Sequence, residues 1–599
     1  MHILWRAAIL SLFTYSPSFA AVYTDFAQLP AKTYDYIVIG AGTAGNVLAN
    51  RLTEDPMVNV LVLEAGGSDE GVLLSIIPFL ATSATPNTPF DWNYTVAPQE
   101  ALDSRVFAYN RGKIVGGSSS INGLFHHYGS SDDYDKLANI TGDPGWSWQK
   151  MKKYVYKHEI FNPGLNSTRK YIARKHGTDG MTSIGLPTYP WKIDDLVLAA
   201  TKELPDDFPF NQDNSGGDNV LGVGWVESSI KDGKRSSSST SYLRDAINRP
   251  NLAVLIQHQA MKLIRSAVRG NLTSGSKPTF SGVSLSIGPG APVYQVEARR
   301  EIILSAGAIG TPQLLLLSGV GTKAELEVHG IKPLLELPVG QNLVDHPMSF
   351  VTFTAAQSLD TLDPLFTDPA ARQAALDRWM VTHDGPFANT LGNQLGFLRL
   401  PHNASIFDSE ADPASGPKAG HWEMIFNNFW MGGGPNQSFI TSYVALVAPS
   451  SRGFVKLATS NPFDKPIIDP KFLTTPFDKF AIREAFRGVK RFFRAKAFSG
   501  YVLAPYGSSN AETDEEIDEL MRQTVSTAAH TVGTSAMSDD HTGSGVVDSK
   551  LRVKGANGLR IVDASVWPFV PCAHTQGPTY LIAERAADII KEEYKSWTG

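Results

Sequence analysis

The 599-residue chain contains a single cysteine, Cys572. One cysteine can form neither an intrachain disulfide nor the Cys/His clusters that bind structural zinc, so no metal site is expected from such motifs. A G-x-S-x-G nucleophile elbow is also absent. The formal net charge is −6, without the basic excess that nucleic-acid-binding proteins show. Nucleic acid is therefore excluded as an expected partner.

Long apolar runs are scarce after residue 20. Residues 302–320 are nearly uncharged and long enough to span a membrane. Gly307, Gly310, Pro312 and Gln313 interrupt this run, which favours a buried strand, a turn and a buried helix. We therefore expect no membrane partner.

The first 20 residues have the parts of a secretory signal peptide: a short basic start, an apolar stretch over 7–15, and Ser18-Phe19-Ala20 as a cleavage site. A buried first strand or helix is the alternative. Six N-x-S/T sequons begin at Asn93, Asn139, Asn166, Asn271, Asn403 and Asn436. Together these features predict a secreted, extracellular glycoprotein.

A dinucleotide-binding pattern opens the remaining chain. A predicted strand over 34–39 precedes a predicted helix over 46–53, and a second predicted strand over 58–64 ends in an acid. The turn between the first strand and the helix reads Gly40-Ala41-Gly42-Thr43-Ala44-Gly45. Its glycines permit a tight turn, backbone approach to a pyrophosphate and close helix–strand packing. We expect Glu64 to accept hydrogen bonds from a ribose. A glycine-rich turn of another α/β fold is the alternative.

Four blocks of sequence extend this pattern. They are the fingerprint with Leu63-Glu64-Ala65-Gly66-Gly67, the run from Arg111 to Gly123, the run from Gly307 to Gly321, and two histidine segments near the C-terminus. On these blocks the chain resembles the glucose–methanol–choline (GMC) oxidoreductases from about residue 34 to about 591. The resemblance implies an FAD-dependent enzyme that acts on the CH–OH group of alcohols.

The resemblance also implies a fold and a set of cofactor-binding residues. We expect an α/β protein in which a Rossmann-type FAD-binding domain (31–125, 235–345 and 540–599) follows a signal peptide (1–20). The substrate-binding domain (126–234 and 346–539) is expected to have an antiparallel sheet covered by helices. The expected FAD-binding residues are Gly40, Gly42, Thr43, Ala44, Gly45, Glu64, Arg111, Gly116, Gly117, Ser118, Ser120, Asn122, Gly123, Ala260, Asp563, Ala564 and Gln576.

Some relatives attach FAD covalently through a histidine at the position of Ile121. An aliphatic side chain cannot form that bond, so we expect non-covalent FAD. His126 and His127 follow shortly after and are expected to be packing or polar-network residues.

Two histidines are the candidate catalytic residues, and no catalytic metal is expected. Alcohol oxidation needs a base for the hydroxyl proton, and neutral histidine suits this role near neutral pH. By family resemblance, His530 is the expected base and His574 its partner. The alternative is two ordinary polar histidines.

Within the family, the sequence resembles fungal aryl-alcohol oxidases, in segments such as Gly233 to Thr240 and Leu457 to Pro466. Two departures from these oxidases, Ala529 and Gly123, stand where they tend to have aromatics, which predicts a more open pocket. Glu423 is a candidate carboxylate near the site, and residues 426–430 are either part of its wall or simply a buried strand. A strand hairpin is expected over 443–456.

The leading hypothesis is a secreted enzyme that oxidises a primary aryl alcohol to an aldehyde and passes the electrons to oxygen, which gives hydrogen peroxide. The enzymatic alternative is a sugar or oligosaccharide dehydrogenase with a quinone as electron acceptor. A secreted flavin-binding protein without turnover is the alternative from another class.

Overall fold

The computed structural model describes residues 21–163, 172–266, 277–356, 361–434, 436–540 and 544–598. The expected signal peptide and the sequons at Asn166 and Asn271 lie outside these ranges. Within them, two large sheets organise the chain. None of the helices in these ranges is both long and apolar enough to cross a membrane.

The first sheet has a parallel centre, which is built from apolar segments that are buried on both faces. Helix Thr43–Leu52 packs between this sheet and the last helix, Gln576–Thr598. In spatial order, the strands are Val22–Tyr23, Leu252–Leu255, Val60–Leu63, Thr33–Ile39, Tyr294–Leu304, Phe280–Ser286 and Gln259–Arg265, and Leu559–Ile561 pairs in parallel with Tyr294–Leu304.

The carboxyl ends of the parallel strands meet at one edge of this sheet. Gly40, Glu64 and Ser305 directly follow their strands, and Asp563 lies two residues beyond Ile561. Ligands of open α/β sheets bind at this edge, because the loops that leave the strands diverge there. The topology thus brings residues from three distant parts of the chain to one place.

The second sheet is antiparallel and is covered on one face by helix Pro476–Phe492. In strand Trp422–Asn427, Met424 and Phe426 belong to the apolar cluster under that helix, whereas Glu423, Ile425 and Asn427 line a cavity on the other face. This alternation follows from the two-residue period of a strand. In spatial order, the strands are Gln394–Leu398, Trp422–Asn427, Phe439–Leu446, Pro347–Ala355 and Val502–Pro505, and Ser526–Thr527 also pairs with Pro347–Ala355.

The hairpin expected over 443–456 is wrong. Strand Phe439–Leu446 pairs within the second sheet, whereas Gly453–Lys456 pairs with Gln341–Leu343 and Ile467–Asp469. The connection between the two strands is held by Asp478, whose carboxylate accepts hydrogen bonds from the backbone N–H groups at 450 and 451 at 2.7 and 3.1 Å. These bonds tie the connection to the first turn of helix Pro476–Phe492 and direct the next strand away.

The remaining elements are short or connect the sheets. The other strands are Glu159–Asn162, Thr182–Gly185, Gly222–Trp225, Ile230–Lys231 and Lys234–Arg235. The other α-helices are Leu73–Ile76, Ser131–Thr141, Trp148–Met151, Lys153–His158, Lys192–Glu203, Arg244–Ala246, Gly307–Leu317, Lys323–Val328, Pro364–Thr367, Pro369–Thr382 and Asp514–Thr524. The expected α/β fold class, with a Rossmann-type sheet and a helix-covered antiparallel sheet, is confirmed. The exact domain boundaries stay a prediction.

Candidate active site

A cavity of about 560 Å³ extends from the carboxyl edge of the first sheet to the open face of the second. Most of the residues expected to bind FAD or to act in catalysis line it. They are Gly40, Gly42, Thr43, Ala44, Glu64, Arg111, Gly117, Ser118, Asn122, Gly123, Ala260, His530, Asp563, Ala564, His574 and Gln576.

Gly45, Gly116 and Ser120, which were expected to bind the cofactor, are not among the lining residues. A Cβ at Gly45 would lie 1.9 Å from the carbonyl oxygen of Gly40, so this glycine permits the helix to pack against the turn. The hydroxyl of Ser120 donates to the carbonyl of Val115 at 2.8 Å. These residues shape the wall of the cavity from behind.

The end of the cavity at the first sheet suits a dinucleotide. Helix Thr43–Leu52 begins there without a side-chain cap, and helix Gly307–Leu317 begins at the same wall. Helix N-termini carry unpaired N–H groups and a partial positive charge, which favour a diphosphate. A Cβ at Gly307 would meet no atom within 4 Å, so this backbone borders open space. These features fit the FAD that the sequence predicts.

Glu64 lies at this end as a buried carboxylate. It accepts hydrogen bonds from the backbone N–H groups of Ala41 at 2.9 Å and Gly66 at 2.7 Å. Burial raises its pKa to about 7, and these two bonds oppose the shift. Each carboxylate oxygen can accept a second hydrogen bond, so Glu64 retains acceptor capacity for ribose hydroxyls.

Asp563 fixes the second helix start. Its carboxylate accepts hydrogen bonds from the N–H of Gly307 at 2.9 Å, the hydroxyl of Thr311 at 2.6 Å and the N–H of Ser565 at 2.8 Å. Burial raises its pKa. Asp563 borders the cavity, and its hydrogen bonds hold helix Gly307–Leu317 to the segment that follows strand Leu559–Ile561.

The middle of the cavity has a network of amides. Asn122 donates to the side-chain oxygen of Gln576 at 3.0 Å and accepts from the buried guanidinium of Arg235 at 2.7 Å. Gln576 in turn donates to the carbonyl of Phe125 at 2.6 Å. These bonds fix the orientation of both amides at the cavity wall.

The two candidate catalytic histidines meet at the end near the second sheet. The ring centroids of His530 and His574 lie 4.6 Å apart, with the rings inclined at 71°. Burial lowers the pKa of His530 well below 6.5, and the rings of His574 and His346 add to this shift. His530 is therefore neutral in mildly acidic as well as neutral solution, which is the form that accepts a proton.

His530 is positioned by two residues that the sequence analysis missed. Nδ1 of His530 lies 2.9 Å from Nδ1 of His346, and the backbone N–H of each histidine donates to Asp345 Oδ1 at 2.8 Å. When His346 accepts on Nδ1, the N–H of His530 is on Nδ1 and its Nε2 is unprotonated. Burial lowers the pKa of His346 to about 3, which keeps this ring neutral. The signal in the sequence is the polar pair at 345–346 within an apolar stretch.

His574 is positioned by Glu423 from the second sheet. Its Nε2 lies 2.7 Å from Glu423 Oε1, and Glu423 is buried. A carboxylate that accepts from one ring nitrogen fixes the orientation of the ring. Glu423, a candidate carboxylate near the site, therefore contacts one of the two candidate catalytic histidines.

The neighbouring histidines and the cysteine do not line the cavity. His126 and His127 are fully buried, and the ring centroid of His127 lies 5.2 Å from that of His574. Cys572 is also buried, burial raises its pKa, and its Sγ accepts a hydrogen bond from the N–H of Gly420. The low fraction of thiolate argues against a reactive thiol.

Sequence comparison identifies the family. The N-terminal and C-terminal family profiles described as GMC oxidoreductase match residues 34–348 and 449–583. The chain belongs to the GMC oxidoreductase family. It is 36% identical to the dehydrogenase eriK of Hericium erinaceus over 98% of this chain and 99% of that protein. It is 35% identical to pyranose dehydrogenase 3 of Leucoagaricus meleagris, over 98% of each chain.

Solved structures share this GMC fold. An FAD-dependent oxidoreductase from Chaetomium thermophilum aligns with a TM-score of 0.83 and 29% identity, over 94% of this chain and 100% of that one. A fungal aryl-alcohol oxidase aligns with a TM-score of 0.79 and 26% identity, over 94% and 100%. The family resemblance seen in the sequence is confirmed, and the protein is an FAD-dependent oxidoreductase that acts on CH–OH groups.

The site of this GMC oxidoreductase can take a proton from an alcohol beside a bound flavin. When bound, FAD would supply the hydride acceptor. Nε2 of His530 is the nitrogen that can accept the hydroxyl proton, because its other ring nitrogen faces His346. Nδ1 of His574, the ring nitrogen that Glu423 does not contact, can donate to the same oxygen when it carries a proton.

Replacement of His530 by Ala is expected to slow anaerobic flavin reduction by about 10²–10⁴-fold, because a positioned base is lost. Glu423→Gln keeps an acceptor for His574 but removes the charge, so a smaller loss of about five- to tenfold is expected. Rapid-mixing absorbance measurements with an alcohol substrate give both rates.

Both variants should retain the yellow flavin absorbance, because neither residue lies at the dinucleotide end. His402→Ala, at an exposed histidine that does not line the cavity, is the matched control and should be unchanged. A near-normal rate in His530→Ala would refute the assignment of the base.

Proposed function

We propose that this enzyme oxidises a primary aryl alcohol to an aldehyde, with His530 as the base and oxygen as the electron acceptor, which gives hydrogen peroxide. The observation that supports this most is the histidine pair at the apolar end of a cavity that suits FAD. A flavin-binding protein without turnover has no need for two histidines that are each positioned by a buried carboxylate.

The wall around the histidines supports an aromatic substrate. Met348, Leu391, Ile425 and Tyr443 line the cavity there and offer apolar and aromatic surface to a ring. Phe426 points away into the apolar cluster under helix Pro476–Phe492, so of residues 426 and 427 only Asn427 lines the cavity. A mostly apolar wall with few amides favours a ring that carries one alcohol.

The cavity supports a bulky rather than a small alcohol. Gly123 lines it, and a Cβ added there would meet no atom within 4 Å. Ala529, directly before the base, also lines the cavity, and its small side chain leaves space on that side. Aromatic side chains at these two positions would narrow the route to His530.

A second candidate is the oxidation of a pyranose with a quinone as electron acceptor. The relatives support it, because several proteins 34–35% identical to this chain are named pyranose dehydrogenases. In the cavity, the carboxamide of Asn427 and the carboxylate of Glu423 could bind sugar hydroxyls.

Anaerobic flavin bleaching distinguishes the two candidates. Benzylic alcohols are expected to bleach the flavin faster than glucose or short glucans, and admission of air should restore the yellow colour. Faster bleaching by sugars, with recovery only on addition of a quinone, would favour the second candidate. No bleaching by any alcohol would support a protein without turnover.

The same screen with Ala529→Phe tests the open pocket. The ratio of kcat/KM for a small benzylic alcohol to that for a bulky one is expected to rise about 2- to 10-fold, from a gained ring contact and a clash with the larger substrate. An unchanged ratio at full FAD content would contradict the proposed role of position 529.

We further propose that the FAD is bound non-covalently. Ile121 lines the cavity at the position where some relatives carry the linking histidine, and its aliphatic side chain has no nucleophilic atom. Acid precipitation should release all of the FAD into the supernatant. Yellow colour that stays in the protein pellet would contradict this proposal.

We also propose that the protein is secreted and glycosylated. The signal-like N-terminus supports this, and the sequon residues Asn139, Asn403 and Asn436 are exposed. The side chain of Asn93 bonds to the backbone at 87 and 88 and is a poorer acceptor for a glycan. The mature protein should begin close to Ala21 in the culture medium, and an N-terminal sequence that starts at Met1 would contradict secretion.

A further inference from the structure

A second cluster of ionisable side chains lies outside the cavity. His176, Asp213 and Glu227 are buried, and their ligand-type atoms lie within 4.8 Å of one another. They come from separate chain segments, so no spacing motif marks them in the sequence. A fourth buried residue, Glu159, completes the group.

The cluster stands behind a wall of the active site. The N–H of His126 donates to the carbonyl of Glu227 at 2.8 Å, and the hydroxyl of Tyr128 donates to Glu159 Oε2 at 2.7 Å. The segment between these contacts carries His127, whose ring lies against His574. The cluster therefore supports the segment that packs against the candidate catalytic residue His574.

The geometry around His176 matches that of a metal ligand. Its Nδ1 lies 2.8 Å from Glu159 Oε1, a hydrogen bond that places the N–H on Nδ1 and turns Nε2 to the other side. There, Nε2 lies 3.4 Å from Asp213 Oδ2 and 3.5 Å from Glu227 Oε1. These separations are long for hydrogen bonds but match the edge between two ligands that each lie about 2.0–2.2 Å from a tetrahedral ion.

The carboxylate oxygens provide a second, independent sign of a ligand. Glu227 Oε2 and Asp213 Oδ2 are buried without a hydrogen-bond partner among the described residues, and so are the side-chain oxygens of Asn214 and Ser215 next in the chain. Buried polar atoms rarely lack partners in folded proteins. Unpartnered oxygens on the two carboxylates that face Nε2 of one histidine point to a ligand at this place.

Charge balance points to a divalent cation. Glu159, Asp213 and Glu227 together carry three negative charges when ionised, and Lys175 is the nearby cation, with Nζ 3.9 Å from Asp213 Oδ2. A neutral His176, one lysine and a divalent cation neutralise this charge. A divalent cation between these carboxylates offsets the cost of burying their negative charges together.

We propose that His176, Asp213 and Glu227 bind a zinc ion, with Glu159 as the carboxylate that orients the histidine from behind. One imidazole and two carboxylates are ligands that zinc accepts, and a carboxylate on the far nitrogen is the usual support of a zinc-bound histidine. The ion lies away from the flavin cavity, so its role is structural: it ties four chain segments together behind His127.

Elemental analysis of the untagged, FAD-loaded protein tests the site. After dialysis against metal-free buffer, we expect about one zinc per FAD. X-ray absorption at the zinc edge should show nitrogen and oxygen ligands, without sulfur, at about 2.0–2.2 Å. His176→Gln and Asp213→Asn should each lower the zinc content at least about tenfold.

The matched control is His421→Gln. His421 is also buried and pairs with a carboxylate, Asp412, at 2.9 Å, but among the described residues it belongs to no group of three metal-ligand side chains. This variant should keep its zinc. Equal zinc content in His176→Gln and His421→Gln would overturn the proposal.

A measurement on the wild type covers the case in which the variants do not fold. A zinc chelator should lower the melting temperature of the wild-type holoenzyme, and added Zn²⁺ should restore it, because a ligand that binds only the native state stabilises it. Zinc-free, FAD-replete protein whose melting temperature does not respond to Zn²⁺ would overturn the proposal and leave a cluster that is neutralised by protons. This result is independent of the substrate and of the rate of flavin reduction.

Discussion

The structure depends on backbone segments that pack directly against one another at the edge of the first sheet. A Cβ at Gly45 would lie 1.9 Å from the carbonyl oxygen of Gly40, and one at Gly117 would lie 2.8 Å from the Cα of Gly42. Hydrogen bonds reinforce these contacts, with the N–H of Gly116 on the carbonyl of Ala41 at 2.7 Å. A side chain at either glycine would collide with the neighbouring backbone and displace it. The space that a dinucleotide needs would then be lost.

The first sheet forms one end of the cavity. The candidate catalytic residues lie at the other end, which the second sheet closes. His530 and His574 each depend on a buried carboxylate that comes from elsewhere in the chain, Asp345 and Glu423. Because both carboxylates are buried, these contacts are electrostatically stronger than they would be at the surface. The burial that lowers the pKa of His530 also keeps it in the form that accepts a proton.

Local patterns explain which features the sequence predicted. The turn from Gly40 to Gly45 is followed within a few residues by the helix and the strand that give it meaning, so its role could be deduced from neighbours along the chain. The prediction of a hairpin over 443–456 was wrong for the opposite reason. Asp478, more than 20 residues away, holds the connection and directs the next strand into another sheet. His346 and the group around His176 form no sequence motif of recognisable spacing, because their partners are distant in sequence.

The sequence by itself determined the family, the α/β fold class, the glycine-rich turn at the dinucleotide end and the two histidines, because each depends on residues close together in the chain or on long blocks shared with relatives. Only the tertiary structure decided that Gly45, Gly116 and Ser120 stand behind the cavity wall, that His346 and Glu423 orient the histidines, and that three carboxylates surround His176. These relations depend on which side chains the two sheets bring within hydrogen-bonding distance. That distance is set by the packing of whole elements and is not encoded in any local pattern.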